Sequence, residues 1–136
     1  MAIRKIPTNT KSFKFYNANP KDRRTGDCVI RAICTAMDKS WDDVAKGLFE
    51  YVIKDKVAMG STECYSKYLA DNGWIKQKQP KKADGTKYTG AEFVRKFKGT
   101  CVAHIGGGHI VCIKDGKVID TWDSTDGCIG NYWTKE

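Results

Sequence analysis

The sequence lacks the features that mark several large classes of protein. It has 136 residues, one domain's worth, and no apolar run near the roughly 18 residues that a membrane-spanning helix needs. Only 3 residues are proline and 40% are hydrophobic, which argues against a disordered chain. The basic residues Arg4 and Lys5 are not followed by the apolar stretch of a secretion signal. We therefore expect a cytoplasmic protein without a membrane segment.

Metal-binding cysteine patterns are also missing. The sequence contains six cysteines: Cys28, Cys34, Cys64, Cys101, Cys112 and Cys128. No two of them form a C-x-x-C pair, and no Cys/His group has the spacing of a zinc site. Without a secretion signal they are expected to be reduced thiols. The sequence thus predicts neither a metal nor another cofactor.

Positive charge is abundant, because 24 Lys and Arg face 16 Asp and Glu, for a net charge of +8. Much of the excess lies in residues 76–87 and in the first 24 residues. Such a surface attracts acidic partners. One alternative is a nucleic-acid-binding domain that uses residues 76–87, with Trp74 and Tyr88 as stacking groups. No RNP, zinc-finger or helix-turn-helix pattern supports it, so we do not expect nucleic acid as a partner.

The order of the predicted elements indicates an α+β fold. Residues 1–24 are polar and basic and predict an extended N-terminal arm. Residues 25–136 predict a single domain, with helices within 27–98 packed on an antiparallel sheet within 100–134. Capping patterns place helix starts at Asp27, Ser40 and Thr89, and a further helix is predicted from about Ser61. The predicted strands are 100–105, 109–114, 117–122 and a short last strand at 130–133, with a basic loop at 76–87.

Cys28 is the cysteine best placed to react. It follows Asp27, the expected N-cap of a helix with apolar residues at helical spacing. A helix N-terminus lowers the pKa of a thiol through its dipole and free N–H groups, and the same groups can bind an oxyanion. Cys34 lies one and a half turns further along and lacks this setting. We predict that Cys28 is a nucleophile, with a structural buried thiol as the alternative.

His109 is the predicted general base. It follows three glycines, which let a substrate backbone approach, and it opens a strand. The other histidine, His104, lies inside an apolar strand and is expected to be structural.

Asp120 is the predicted orienter of His109. If Asp115 and Gly116 form a two-residue type I′ turn, the register pairs 114 with 117, 111 with 120 and 109 with 122. Asp120 is then the diagonal neighbour of His109 on one face of the sheet, within hydrogen-bond reach. Asp123 is the competing acid, which would need a bend to reach the same face.

These residues resemble the pattern of papain-like cysteine proteases. That family carries its Cys at the start of an N-terminal helix, its His at the start of a later strand, and an Asn or Asp on the next strand. Here the matching segments are Gly-Asp-Cys-Val-Ile-Arg-Ala at 26–32, Gly-His-Ile-Val at 108–111 and Asp-Thr-Trp at 120–122. The last resembles the family's Asn-Ser-Trp, which implies that Trp122 shields the bond between His109 and the acid. More closely, residues 16–134 resemble small uncharacterised papain-fold proteins of phages and gut bacteria.

The resemblance implies a papain-like cysteine hydrolase, a peptidase or amidase that transfers acyl groups through Cys28, His109 and Asp120. Its substrate would be a peptide or protein in the cytoplasm of a bacterial or phage-infected cell, and the basic surface would suit an acidic one. One position departs from the pattern. The family's oxyanion-donating Gln falls at Asp22, six residues before Cys28, and a carboxylate repels an oxyanion. Asn19 is the expected substitute, or Asn17. A papain-fold binding protein with little or no catalysis is therefore the main alternative.

Overall fold

The structure is a computed structural model and describes residues 6–135. Residues 1–5 of the predicted arm, and residue 136, lie outside the described residues. The described chain forms a mixed α/β fold with four helices: α1 (Cys28–Met37), α2 (Trp41–Asp55), α3 (Thr62–Asp71) and α4 (Gly90–Lys96). Its six strands are β1 (Phe13–Phe15), β2 (Trp74–Gln77), β3 (Cys101–Ile105), β4 (His109–Lys114), β5 (Lys117–Asp120) and β6 (Ile129–Lys135). None of the helices in residues 6–135 has the length and apolar character needed to cross a membrane.

The helix starts follow from local capping. The Ser40 and Ser61 hydroxyls accept hydrogen bonds from the backbone N–H groups of Asp43 and Cys64, at the starts of α2 and α3. Thr89 and Glu92 form a full capping box at α4. These three predicted starts are confirmed.

The strands form one six-stranded sheet in the order β1-β5-β4-β3-β6-β2. The strands predicted within 100–134 pair antiparallel with one another, as expected, but the sheet as a whole is mixed, because β1 pairs with β5 in parallel. Within the predicted extended arm, Phe13–Phe15 is a strand of this sheet, which the sequence did not predict. Phe13 is fully buried, and burial of its ring holds β1 at the sheet edge. A strand of 3 residues is too short to show an alternating pattern.

The other edge strand, β2, begins just before the segment that was predicted to be a basic loop. Trp74–Gln77 pairs antiparallel with β6, so residues 76 and 77 belong to the sheet. Trp74 is 5% exposed and packs in the core. It is therefore not available to stack on a nucleic-acid base.

Two hydrophobic clusters cover the two faces of the sheet. On one face α1, α2 and α3 pack against Val102, Ile110 and Cys112. On the other face, the buried residues Phe93 and Val94 of α4 pack against the alternating side chains of β3 and β4. The helices therefore lie on both faces of the sheet, and α1 packs directly against β4.

The β4–β5 hairpin has the predicted turn and the predicted first pair. Asp115 and Gly116 have φ angles of 54° and 74°, as a type I′ turn requires, and Lys114 pairs with Lys117. The ladder extends only as far as the pair Cys112–Ile119. The predicted pairs 111–120 and 109–122 are wrong, because β5 ends at Asp120 and the chain turns away there. The two strands thus separate beside His109, and this opening is where the N-terminus of α1 lies.

Candidate active site

Cys28 is the first residue of α1, and its side chain is half-buried. The position exposes the thiol to the free N–H groups and the positive end of the helix dipole, both of which favour the thiolate. Asp27 occupies the N-cap position as predicted, but its side chain makes no capping hydrogen bond. The Asp27 carboxylate is used elsewhere, as described below.

The part of β4 that is not paired with β5 faces the sulfur atom of Cys28. Burial by itself raises the pKa of the Cys28 thiol, but hydrogen bonds from the His109 side chain and the backbone N–H of Ile110 lower it. The positive charges of His109 and Arg31 act in the same direction, and the net pKa lies below the ordinary value of 9.0. The Ile110 N–H was not predicted from the sequence. It is available because β5 ends before it would pair with this part of β4.

His109 connects Cys28 to Asp120. The Nε2 atom of His109 lies 2.5 Å from Oδ2 of Asp120. The Nδ1 atom is therefore the ring nitrogen left to face Cys28. Burial lowers the pKa of His109, but the hydrogen bonds to Asp120 and Cys28 and their negative charges raise it to about 9. An imidazolium beside a thiolate is the ion pair that a cysteine nucleophile needs.

Trp122 covers the imidazole of His109 from one side. The two ring centroids are 4.9 Å apart and the planes are tilted by 36°. Trp122 nevertheless remains 50% exposed. The contact is in keeping with the predicted shielding of the His109–Asp120 bond.

A buried arginine holds Asp120 from behind, and sequence reasoning missed it. Nη1 of Arg31 donates to Oδ1 of Asp120 at 2.7 Å, and the backbone N–H of Thr121 donates to the same oxygen at 2.7 Å. These two bonds leave Oδ2 of Asp120 directed at His109. Burial raises the pKa of Asp120, but the bonds from His109 and Arg31 lower it below its ordinary value. The carboxylate therefore remains ionised.

Asp27 anchors the other side of Arg31. Nε of Arg31 donates to Oδ1 of Asp27 at 2.8 Å, and the second carboxylate oxygen accepts from Nδ2 of Asn19 and Nε1 of Trp41, each at 3.0 Å. Charges thus alternate from Asp27 through Arg31, Asp120 and His109 to Cys28. The available sequence signal was an Asp and an Arg four residues apart on an otherwise apolar helix.

The remaining predicted residues lie near this chain of contacts but differ in what they bind. The Asn19 amide donates to Asp27, and its oxygen accepts from the N–H of Lys21. This places Asn19 beside the start of α1, and its role as an oxyanion donor stays a prediction. Nδ2 of Asn17 instead donates to the carbonyl of Arg23 at 3.0 Å. Asp123 accepts from Thr125, so the structure brings Asp120 rather than Asp123 to His109.

The other five cysteines lack the setting of Cys28. Burial raises the pKa values of Cys34, Cys64, Cys101 and Cys112, all of which lie in the core. Cys128 is exposed. Within residues 6–135, no group of His, Cys, Asp and Glu side chains has the arrangement of a metal site.

Internal contacts neutralise part of the positive charge of the basic segment at residues 76–87. Lys82 forms an ion pair with Glu92 at 2.5 Å, and its ammonium also lies over the Tyr88 ring. Together with the burial of Trp74, this pairing removes part of the basic and aromatic surface that a nucleic-acid-binding domain would require.

Comparison with known proteins yields no match to a protein-family model, a curated protein or a solved structure. The assignment of a function therefore depends on the geometry of this site.

Proposed function

We propose that this protein is a papain-like cysteine hydrolase, a peptidase or amidase that transfers acyl groups through Cys28, His109 and Asp120. The observation that carries the proposal is the continuous chain of contacts from Asp120 through His109 to a thiol at a helix N-terminus. Each member has a pKa shifted in the direction that its role requires.

The reaction follows from the charges of the site. The Cys28 thiolate attacks the carbonyl carbon of an amide, and the carbonyl oxygen becomes an oxyanion. His109, as imidazolium, donates its proton to the leaving amine when the C–N bond breaks. Neutral His109 then takes a proton from water, and the resulting hydroxide attacks the thioester. The C–S bond then breaks, the acid product leaves, and Cys28 and His109 return to thiolate and imidazolium.

The proposed relationship to papain-like enzymes is supported by the placement of the three groups. The cysteine begins a helix that packs against the strand carrying the histidine, and the acid ends the neighbouring strand. The oxyanion would be bound by the backbone N–H of Cys28, with the amide of Asn19 as a second donor. Losing one such donor typically slows the reaction about a hundredfold or more, so the second donor matters.

The proposal includes a peptide or protein substrate and a cytoplasmic location. All six cysteines carry free thiols, which suits a reducing compartment.

Alkylation of the intact protein tests the nucleophile. Cys28 should react with iodoacetamide at pH 6 about tenfold faster than Cys128, although Cys128 is the more exposed thiol. Replacing His109 by Ala should remove most of this advantage. Mass spectrometry of the digested protein measures each site separately. Equal reactivity of the two thiols, unchanged by His109→Ala, would disprove the nucleophile.

Trapping of an acyl-enzyme separates a hydrolase from a binding protein of the same fold. An activated acetyl ester should leave an acetyl group on Cys28 that disappears with time and is absent from Cys28→Ala. A Cys28 that is alkylated but never acylated would favour the binding protein. Steep salt dependence of nucleic-acid binding would instead favour the third alternative.

A further inference from the structure

Asp27 occupies the N-cap position of α1 without capping the helix. Its side chain makes no hydrogen bond to the helix N–H groups, although Asp is one of the residue types that usually does so. The residue is nevertheless buried, with only 6% of its surface exposed. The N–H groups at the start of α1 are therefore left for an oxyanion, and the Asp27 carboxylate serves another purpose.

Three side-chain donors bind the Asp27 carboxylate. Nε of Arg31 donates to Oδ1 at 2.8 Å, whereas Nδ2 of Asn19 and Nε1 of Trp41 each donate to Oδ2 at 3.0 Å. Burial by itself raises the pKa of Asp27, but these bonds and the charge of Arg31 lower it below its ordinary value. Asp27 is therefore an ionised acceptor held from two sides, and Arg31 offsets the repulsion that its charge would exert on a nearby oxyanion.

The side-chain amide of Asn19 is bonded at both ends. Its Nδ2 donates to Asp27, and its Oδ1 accepts from the backbone N–H of Lys21 at 2.9 Å. A flipped amide would turn its oxygen toward the Asp27 carboxylate and its nitrogen toward the Lys21 N–H, so only one orientation is favourable. An amide nitrogen carries two hydrogens, and Asp27 takes one of them. Asp27 thus determines the direction of the other hydrogen.

We propose that Asp27 is a positioning residue, which fixes the Asn19 amide so that its second Nδ2 hydrogen binds the substrate oxyanion at Cys28. This inference rests on the proposed hydrolase function. Asp27 contacts no reacting atom in this scheme and acts only through Asn19. Trp41 supports the arrangement, because its indole N–H holds the same carboxylate oxygen that Asn19 binds.

Two reactions of Cys28 separate the oxyanion donor from the nucleophile. With iodoacetamide, the thiolate forms a C–S bond at a saturated carbon as iodide leaves, and no oxyanion arises. With p-nitrophenyl acetate, the thiolate adds to the carbonyl carbon, the carbonyl oxygen becomes an oxyanion, and the C–O bond then breaks to release p-nitrophenolate. The measurement is the ratio of the acetylation rate to the alkylation rate of Cys28, followed by mass spectrometry at one pH. A change in the thiolate fraction alters both rates together, so the ratio reports on the oxyanion.

Asn19→Ala should lower this ratio about a hundredfold, as the loss of one oxyanion donor typically does. Asp27→Ala should lower it about tenfold or more in the parent but less than twofold in Asn19→Ala, because its effect is transmitted by Asn19. Trp41→Phe keeps an aromatic ring but removes the N–H, and should lower the ratio about threefold.

Trp74→Phe is the matched control for Trp41→Phe. Trp74 is 5% exposed, and its Nε1 has no hydrogen-bond partner among residues 6–135. The same exchange at Trp74 therefore removes an N–H that holds nothing, and the ratio should change less than twofold.

The two proposals fail in different ways. If neither reagent modifies Cys28 faster than Cys128, the proposed function is wrong. If Cys28 reacts quickly with both reagents but Asn19→Ala and Asp27→Ala leave the ratio unchanged, only the positioning role is overturned. An equal loss from Asp27→Ala in the parent and in Asn19→Ala also overturns it, because Asp27 would then not act through Asn19.

Trp41→Phe keeps the test open if circular dichroism shows that Asp27→Ala does not fold. It should lower the ratio in the parent and leave it unchanged in Asn19→Ala. An effect no larger than that of Trp74→Phe, or an equal effect in both backgrounds, would overturn the positioning role.

Discussion

Replacement of Arg31 by Met should strongly destabilise the protein. The Arg31 residue is 8% exposed, and its guanidinium donates to Asp27 at 2.8 Å and to Asp120 at 2.7 Å. Met keeps much of the side-chain volume but leaves Asp27 without its cation and Asp120 with only the His109 imidazolium. Breaking a buried ion pair on one side costs about 3–5 kcal/mol. This is a large part of the about 5–15 kcal/mol that stabilises a typical domain.

Urea unfolding at pH 7, followed by tryptophan fluorescence, measures this loss of free energy. Lys67→Met is the matched control, since Lys67 forms an ion pair with Asp55 at 3.0 Å on the surface, where its side chain is 61% exposed. An exposed pair contributes about 0–1 kcal/mol. If Arg31→Met costs no more than Lys67→Met, the argument that the Arg31 contacts stabilise the fold is refuted.

Reactivity provides a second measurement that stability alone does not determine. The positive charge of Arg31 helps to hold the pKa of the Cys28 thiol below its ordinary value. In Arg31→Met the pH profile of Cys28 alkylation should therefore move to higher pH. Arg31→Lys keeps the positive charge but loses the simultaneous contact with Asp27 and Asp120, so the pH profile of this variant should move less. This variant also serves if Arg31→Met does not fold. Identical profiles in the parent and both variants would contradict the electrostatic role of Arg31.

Two further predictions concern pH and packing. The pKa of His109 is raised to about 9 from 6.5, so the stability from its charged form is complete below pH 6.5 and lost as pH rises through about 9. The difference in unfolding free energy between the parent and His109→Gln should shrink over that interval, and a constant difference would contradict it. A Cβ at Gly90 would lie 2.9 Å from the Ile105 side chain and 3.2 Å from the Thr125 backbone, whereas one at Gly107 would meet nothing within 4 Å. Gly90→Ala should therefore lower the thermal midpoint through a cost of about 1–3 kcal/mol, and Gly107→Ala should leave it nearly unchanged; equal effects would contradict the packing argument.

Local features of the chain were predictable because their physics is local. A Ser or Thr hydroxyl that caps a helix bonds to an N–H only three residues away, as at Ser40, Ser61 and Thr89. The turn at Asp115 and Gly116 needs only two residues that tolerate positive φ. The helix start also placed Cys28 at an N-terminus, and the glycines placed His109 at the start of a strand.

The approach of Asp120 to His109 was expected, but for a partly wrong reason. The predicted register would have continued the β4–β5 ladder to these residues, whereas the ladder ends at Cys112–Ile119. Asp120 reaches His109 because β5 stops and its carboxylate is held by Arg31 and Thr121. Counting along the hairpin could not reveal this, since it assumes that both strands stay paired.

The sequence by itself determined the helix starts, the hairpin turn and the positions of the proposed nucleophile and base, because each depends on neighbours a few residues apart. Only the tertiary structure decided that the sheet is mixed, that Asp120 rather than Asp123 meets His109, and that Arg31 joins Asp27 to Asp120. Arg31 and Asp120 are 89 residues apart in the chain. Buried charges are tolerated only when they find partners, and those partners are known only once distant segments have packed together.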